Sequence, residues 1–325
     1  MKKIVLLALA GVLLVSCSDR GVKQQDVGVR IARYEKIFFD TPSEQLASSL
    51  LEFTRDYPAP LLNIYPDDPQ FLSELQGFVG DPTMREIYNI TTRRYSDLGW
   101  LETQLTKAMR KAKELSPAID IDKFATFVSG YFDYGSRIIA DRDSKSLLVS
   151  LDQYALGDME NFSYFGLPNY IVSISDSLYL ASDIMASVAR QYIAVPDEEN
   201  LTMLDRMIME GKVLYFVDQV MPKTAKNIKL RYSEEQLEWC RQNESKIWSY
   251  FIQNKLLFEK DYNRYHNFTD DAPKTNAFKD SAPRTTDYIG WRIVDNYMRN
   301  ATSSIAELFA NTNSQLILQT SKYKP

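Results

Sequence analysis

Histidine is almost missing from this chain: its 325 residues contain one, His266. Zinc sites usually draw on several imidazoles and thiolates, and Ser-His-Asp or Cys-His centres need a histidine beside the nucleophile. A lone histidine in the polar-aromatic phrase Asn263-Arg264-Tyr265-His266-Asn267-Phe268 reads as a surface or structural residue, which sets most such centres aside. Cysteine is nearly as scarce, with only Cys17 and Cys240. Cys240 lies in the apolar helical phrase Leu237-Glu238-Trp239-Cys240 and reads as a buried, inert thiol. No P-loop, Gly-x-Gly-x-x-Gly or Cys-x-x-Cys is present, so the common phosphate cradles and redox pairs are excluded. No basic cluster offsets the net charge of −5, so nothing points to nucleic acid.

One uninterrupted apolar run stands out, residues 4–15, behind Lys2 and Lys3. It is too short for a bilayer, which needs roughly 20 residues, and has the length of a signal-peptide core. The run ends in Leu14-Val15-Ser16-Cys17, the order of a lipobox, in which small residues precede the bond to be cut. The expectation is export, cleavage before Cys17 and acylation of Cys17. Two or three acyl chains, palmitate-like in length, anchor stably where one binds only marginally. Ser18 permits transfer to the outer membrane, and Asp19-Arg20 leaves open which leaflet the protein faces. With Cys17 acylated, Cys240 has no partner and no internal disulfide forms. The expected organisation is a signal peptide over 1–16, a lipidated polar tether over 17–29, and one globular domain over 30–325.

The apolar content of 45% and the 20 tyrosines support a sizeable core. Thr41-Pro42-Ser43-Glu44 reads as a capping box, and Asp68-Pro69 and Asp81-Pro82 as further helix starts. Asp97 opens another helix, with Leu98, Leu101, Leu105, Ala108, Met109 and Ala112 on a 3.6-residue period. Pro-rich joints at Tyr57-Pro58-Ala59-Pro60 and Tyr65-Pro66 separate the pieces. Residues 124–132 and 147–151 are rich in β-branched and aromatic side chains, with Gly130 and Gly135 between them, and predict two or three strands. Two long apolar-periodic helices are predicted over 178–193 and 201–220. Ser233-Glu234-Glu235-Gln236 is another capping box, leading to a helical pair with Trp239, Trp248, Tyr250 and Phe251. Residues 270–287 read as a surface loop and 288–299 as a final helix. The expected class is α+β, predominantly helical with a small sheet.

Several phrases, in order along the chain, resemble the gliding-motility lipoprotein B (GldB-like) family of Bacteroidetes. They are the lipobox with its short tether, Leu204-Asp205-Arg206-Met207-Ile208-Met209-Glu210-Gly211-Lys212 with Leu214-Tyr215-Phe216, then Trp248-Ser249-Tyr250-Phe251. Tyr288-Ile289-Gly290-Trp291-Arg292-Ile293-Val294 with Tyr297-Met298 follows, and last Ser321-Lys322-Tyr323-Lys324-Pro325. The resemblance implies an outer-membrane lipoprotein of the gliding or associated secretion machinery. Its partners would be membrane lipid, through Cys17, and other envelope proteins, with no nucleic acid and no cofactor. That family is in turn similar to predicted zinc peptidases, in which a His-Glu-x-x-His helix precedes a helix whose Glu-Gly pair supplies the third metal ligand. Glu210-Gly211 stands in the second helix, but residues 178–193 contain neither histidine nor glutamate. The resemblance therefore implies a degenerate zincin-like domain, a pseudo-peptidase without zinc.

Glu210 has a plainer reading beside the inherited one. It lies next to the apolar stripe of its helix, with Arg206 one turn earlier as an i, i+4 partner. Either it is a structural ion pair or, with Gly211, it belongs to a remnant pocket. Gly211 costs roughly 1 kcal/mol in a helix interior relative to alanine, which suits close helix packing. Two further alternatives stay open: a carboxylate hydrolase using Glu210, Asp183 or Asp205, and a lipoprotein that binds a small ligand in the old cleft.

Overall fold

The computed structural model describes residues 28–57, 64–130, 137–158 and 166–325. Cys17, the expected signal peptide and the tether before Gly28 lie outside the described residues, as do residues 58–60 of one joint and Gly135. Val29, the last residue of the expected tether, is buried and donates its N–H to Thr106 Oγ1 at 2.8 Å.

Four short strands form one mixed sheet: β1 (Ile31–Arg33), β2 (Lys123–Phe127), β3 (Ile138–Asp141) and β4 (Ser146–Ser150), in the spatial order β1-β2-β4-β3. β1, β2 and β4 are parallel, with Ile31 opposite Phe124 and Lys123 opposite Ser146. β3 runs antiparallel to β4, with Ile138 opposite Val149. The central strands are buried along nearly their whole length, as parallel strands covered on both faces are. β1 was not expected, since three residues cannot display an alternation. The strand expected over 124–132 leaves the sheet at Phe127.

Helix starts follow their caps. After α1 (Tyr34–Asp40) and α2 (Leu46–Asp56), Asp68 and Asp81 each accept N–H groups of the first turn ahead of a proline, opening α3 (Pro69–Gly80) and α4 (Pro82–Arg94). The capping box expected at Thr41 does not form. Gln45 donates its N–H to the Pro42 carbonyl at 2.9 Å, and this turn delays α2 until Leu46, without a side-chain cap. Asp97 accepts the Gly99 N–H at 3.1 Å, and α5 (Gly99–Leu115) buries the predicted stripe from Leu101 to Ala112. Then come α6 (Asn169–Ser173), α7 (Ser177–Arg190) capped by Asp176, and α8 (Met203–Val220) capped by a Thr202–Asp205 box. The last group is α9 (Lys226–Leu230), α10 (Glu234–Gln242) with its expected Ser233–Gln236 box, α11 (Glu244–Gln253), α12 (His266–Thr269), α13 (Thr285–Asn300), α14 (Ile305–Ala310) and α15 (Ser314–Ser321).

The centre of the molecule is the crossing of α8 on α13. A Cβ at Gly211 would stand 2.3 Å from the Gly290 carbonyl oxygen, and one at Gly290 would stand 2.0 Å from that of Met207. The two backbones touch, which only glycine at both points allows. Two expectations are corrected around this core. The segment before α13 is a surface loop only in its first part: Pro273, Lys274, Asn276, Ala277, Lys279 and Asp280 are exposed, whereas Thr275, Phe278 and residues 281–284 are buried, and helix begins at Thr285. In the buried part polar groups bond within the segment, as where Ser281 Oγ donates to the Thr275 carbonyl at 2.8 Å and accepts its N–H at 3.0 Å. Nor is α13 the final helix, because α14 and α15 follow it. The chain end closes back on the core: Tyr323 and Tyr288 both donate to Glu244, each at 2.8 Å, and Arg292 donates to it at 2.9 Å. Cys240 is fully buried, and burial pushes its thiol up to about 12, which fits the inert thiol expected.

Candidate functional site

A cleft of about 530 Å³ opens where α7, α8, the end of α9, the start of β3 and the start of α13 converge. Its size falls within the range of small-ligand sites. On α7, Asp183, Ser187 and Arg190 project into it at helical spacing, and α8 contributes Arg206, Glu210 and Leu214. The rest of the lining includes Arg137, Lys229, Arg231, Tyr262, Asp270, Arg284 and Asp287.

Each carboxyl group of the floor is held. Asp183 accepts the Tyr154 hydroxyl at 2.9 Å, with Arg137 at 4.0 Å and Arg231 at 3.8 Å from its carboxylate. Burial, followed by the charge of Asp183, raises the Tyr154 phenol well above its ordinary range, so it remains a donor. Glu210 takes the Arg190 guanidinium at 2.6 Å. The intrahelical partner expected for it, Arg206, turns elsewhere: its Nε donates to the Tyr265 hydroxyl at 3.0 Å and its guanidinium lies over the Tyr262 ring. The reason is geometric, since α7 brings a guanidinium straight to Glu210 while two aromatic groups hold Arg206.

Asp287 and Arg284 are the residues that sequence reasoning missed. Arg284 precedes α13 in the left-handed region, at φ +42°, an uncommon conformation for a side chain of its size. Its guanidinium donates to Asp287 at 3.1 Å, to the Leu230 carbonyl at 2.5 Å and to Asp271, tying the loop, α9 and α13 together. Burial, then the charge of nearby Glu210, pushes the Asp287 carboxyl up to about 7 against the pull of Arg284 and Arg190. A left-handed arginine cannot be read from composition. An aspartate in a helix's first turn is ordinary, so neither left a signal.

The raised Asp287 has a consequence for stability. Below its ordinary pKa near 4 the group is protonated both folded and unfolded. Between about 4 and 7 only the folded state holds the proton, so stability falls as pH rises through that window. We expect the loss between pH 5 and pH 8 to shrink in Asp287→Asn by on the order of 1–3 kcal/mol, a tenfold change in proton affinity being worth about 1.4 kcal/mol. Urea unfolding of both proteins at the two pH values checks this, and parallel losses would refute it. The comparison stops at pH 8 because buried Lys212, whose ammonium donates to the Asn311 carbonyl at 2.6 Å, is lowered by burial to about 8. Its penalty is relieved as pH rises further, in the opposite sense.

The remaining expected residues divide. Gly211 is packed against Gly290 and is not among the lining residues. Asp205 caps α8 and receives the Thr202 N–H and hydroxyl, so it is not a cleft carboxylate. His266 makes its ring contact with the Asn263 carbonyl at 3.0 Å. Among the described residues no group of three or more His, Cys, Asp or Glu could hold a metal ion, and no helix is long and apolar enough to cross a membrane.

A helical α+β globule with a charge-lined cleft between its central helices is the class that fold and site define. A family model described as gliding motility protein GldB matches residues 17–325. The chain belongs to that family of gliding-motility lipoproteins. No curated protein and no solved structure matches it.

Proposed function

We propose that this protein is an outer-membrane lipoprotein, anchored through acylated Cys17, that serves the gliding or associated secretion machinery through contacts with envelope proteins and not by turnover. The observation that carries the non-catalytic part is the engagement of the cleft carboxyls: Glu210 by Arg190, Asp183 by Tyr154, and Asp287 by Arg284. A general base needs a carboxylate able to reach a proton on a substrate, and here such groups serve to join helices. Family membership over residues 17–325 supports the envelope role.

One observation favours a second reading, a carboxylate hydrolase. Glu210 and Asp287 share the cleft with Asp287 raised toward neutrality, and a proton-bearing carboxyl beside an ionised one is how acid and base roles are divided. Complementation of a deletion strain separates the two. Glu210→Gln keeps the side chain's size but cannot act as a base. As Arg190 is half exposed, the lost pair costs about 0.2–1 kcal/mol at most. Contact function predicts near-normal gliding or secretion with Glu210→Gln, and loss of both with Cys17→Ala, which should leave the outer-membrane fraction. A stable, correctly localised Glu210→Gln protein that fails to complement would instead overturn the contact reading and favour the hydrolase.

A further inference from the structure

Resting on the reading of the cleft as a contact site, we propose that it receives the carboxylate of an acidic peptide segment from a protein partner, with Arg206 as the receiving group. The chain as a whole is acidic, at −5, yet the described lining of the cleft is not. Six basic side chains, Arg137, Arg190, Arg206, Lys229, Arg231 and Arg284, face five carboxyl groups there. Five of the six are paired with carboxylates, Lys229 with Asp218 outside the lining, so the attraction for an anion is concentrated at the sixth.

Arg206 is set apart from the other five. It is exposed at the mouth of the cleft, and no carboxylate among the described residues pairs with it. Its Nε is fixed by Tyr265 at 3.0 Å, and Tyr262 lies under its guanidinium, 5.0 Å from the ring centroid. The two terminal NH2 groups make no hydrogen bond among the described residues. A guanidinium held from behind by a hydroxyl and an aromatic face, with its outer edge open, is preorganised for a planar anion, because its rotamer freedom is already spent.

The rest of the lining selects the carrier. A phosphate dianion would meet repulsion from Asp183, Glu210 and Asp270, which a single carboxylate meets at half strength. Ile138, Ala186, Leu214 and Leu230 supply apolar surface for side-chain methylenes. A lining of both signs with an apolar floor suits a peptide better than a bare inorganic anion.

The test is calorimetric titration of the full chain in detergent with four probes: acetyl-tetraglutamate amide, acetyl-tetraglutamine amide, tetra-alanine with a free carboxyl terminus, and inorganic phosphate. We expect tetraglutamate to bind with an affinity that falls as salt is raised, and tetraglutamine to bind at least about tenfold more weakly, the worth of one charged hydrogen-bonded contact. Arg206→Gln should weaken tetraglutamate about tenfold. Arg30→Gln, an equal loss of charge at an exposed arginine outside the lining, should leave it unchanged. Tetra-alanine binding as tightly as tetraglutamate would support the carboxylate chemistry and assign its source to a chain terminus. Equal binding of tetraglutamine, tighter binding of phosphate, no binding of either acidic peptide, or an Arg206→Gln affinity equal to wild type would each overturn the inference. Such a failure with an intact Glu210→Gln complementation leaves the contact reading standing. Peptide binding together with failed complementation points to turnover instead.

Discussion

Gly211→Ala is expected to lower the free energy of unfolding by on the order of 2–3 kcal/mol, and Gly211→Leu to leave little folded protein. In an exposed helix the alanine change would stabilise by about 1 kcal/mol, so the sign itself carries information. The added Cβ would lie 2.3 Å from the Gly290 carbonyl oxygen and 3.0 Å from Val294 Cγ2. The first neighbour is backbone inside α13 and cannot rotate away, so α8 and α13 must separate and loosen the packing of Met207, Ile208, Ile293 and Val294, all fully buried. Gly290→Ala meets the Met207 carbonyl at 2.0 Å and should cost at least as much. Because both substitutions part the same two helices, the double variant should cost less than their sum. Urea unfolding of the four proteins measures all of this. A Gly211→Ala protein within about 0.5 kcal/mol of wild type would show that the crossing yields easily.

That crossing also shows where the sequence speaks and where it stops. Gly211 is conspicuous as a glycine inside an apolar-periodic helix, and close packing follows from it. Its counterpart Gly290 sits in an equally periodic phrase, Tyr288-Ile289-Gly290-Trp291, but nothing local says that the two meet. Capping residues are local in the same way. Asp68, Asp81 and Ser233 act within three residues of themselves, and such signals read correctly except at Thr41, where a competing turn took the position. Glu210 failed differently. An i, i+4 partner was at hand in Arg206, while the partner that binds it, Arg190, comes from the neighbouring helix. Arg137, Arg231 and the Arg284–Asp287 pair reach the cleft from three places in the chain, and only the tertiary fold assembles them. Of the loop expected over 270–287 the first part is exposed, and only residues 281–287 depart from the expectation, because polar groups such as Ser281 that bond within the segment can be buried whatever their composition.

Asp152→Ala is expected to cost about 3–5 kcal/mol, because it leaves several hydrogen-bond donors without a partner at once, each worth roughly 1–3 kcal/mol when buried. This carboxylate is fully buried just after β4 and accepts four hydrogen bonds. Oδ1 receives the Ser129 N–H at 3.1 Å and the Ser150 hydroxyl at 2.5 Å. Oδ2 receives the Ser129 hydroxyl at 2.9 Å and the Gly130 N–H at 3.0 Å. Alanine strands four donors away from water, two of them main-chain groups that cannot turn to find other partners. Asparagine fills the space but sets an NH2 group against two of the donors, so Asp152→Asn should lose on the order of 2 kcal/mol and rescue only part of the stability. The damage should extend to the cleft. Asp152 fixes the ends of β2 and β4, and Ser150, whose hydroxyl it holds, donates its own N–H to the Arg137 carbonyl at 2.9 Å. Freed from that bond, Arg137 should lose its place 4.0 Å from Asp183, while the α8–α13 crossing stays closed. Hydrogen exchange at Ser129, Gly130 and Ser150 should therefore accelerate more in Asp152→Asn than exchange within α8. Uniform acceleration across both regions would mean that Asp152 supports the whole fold and not the sheet end that carries Arg137.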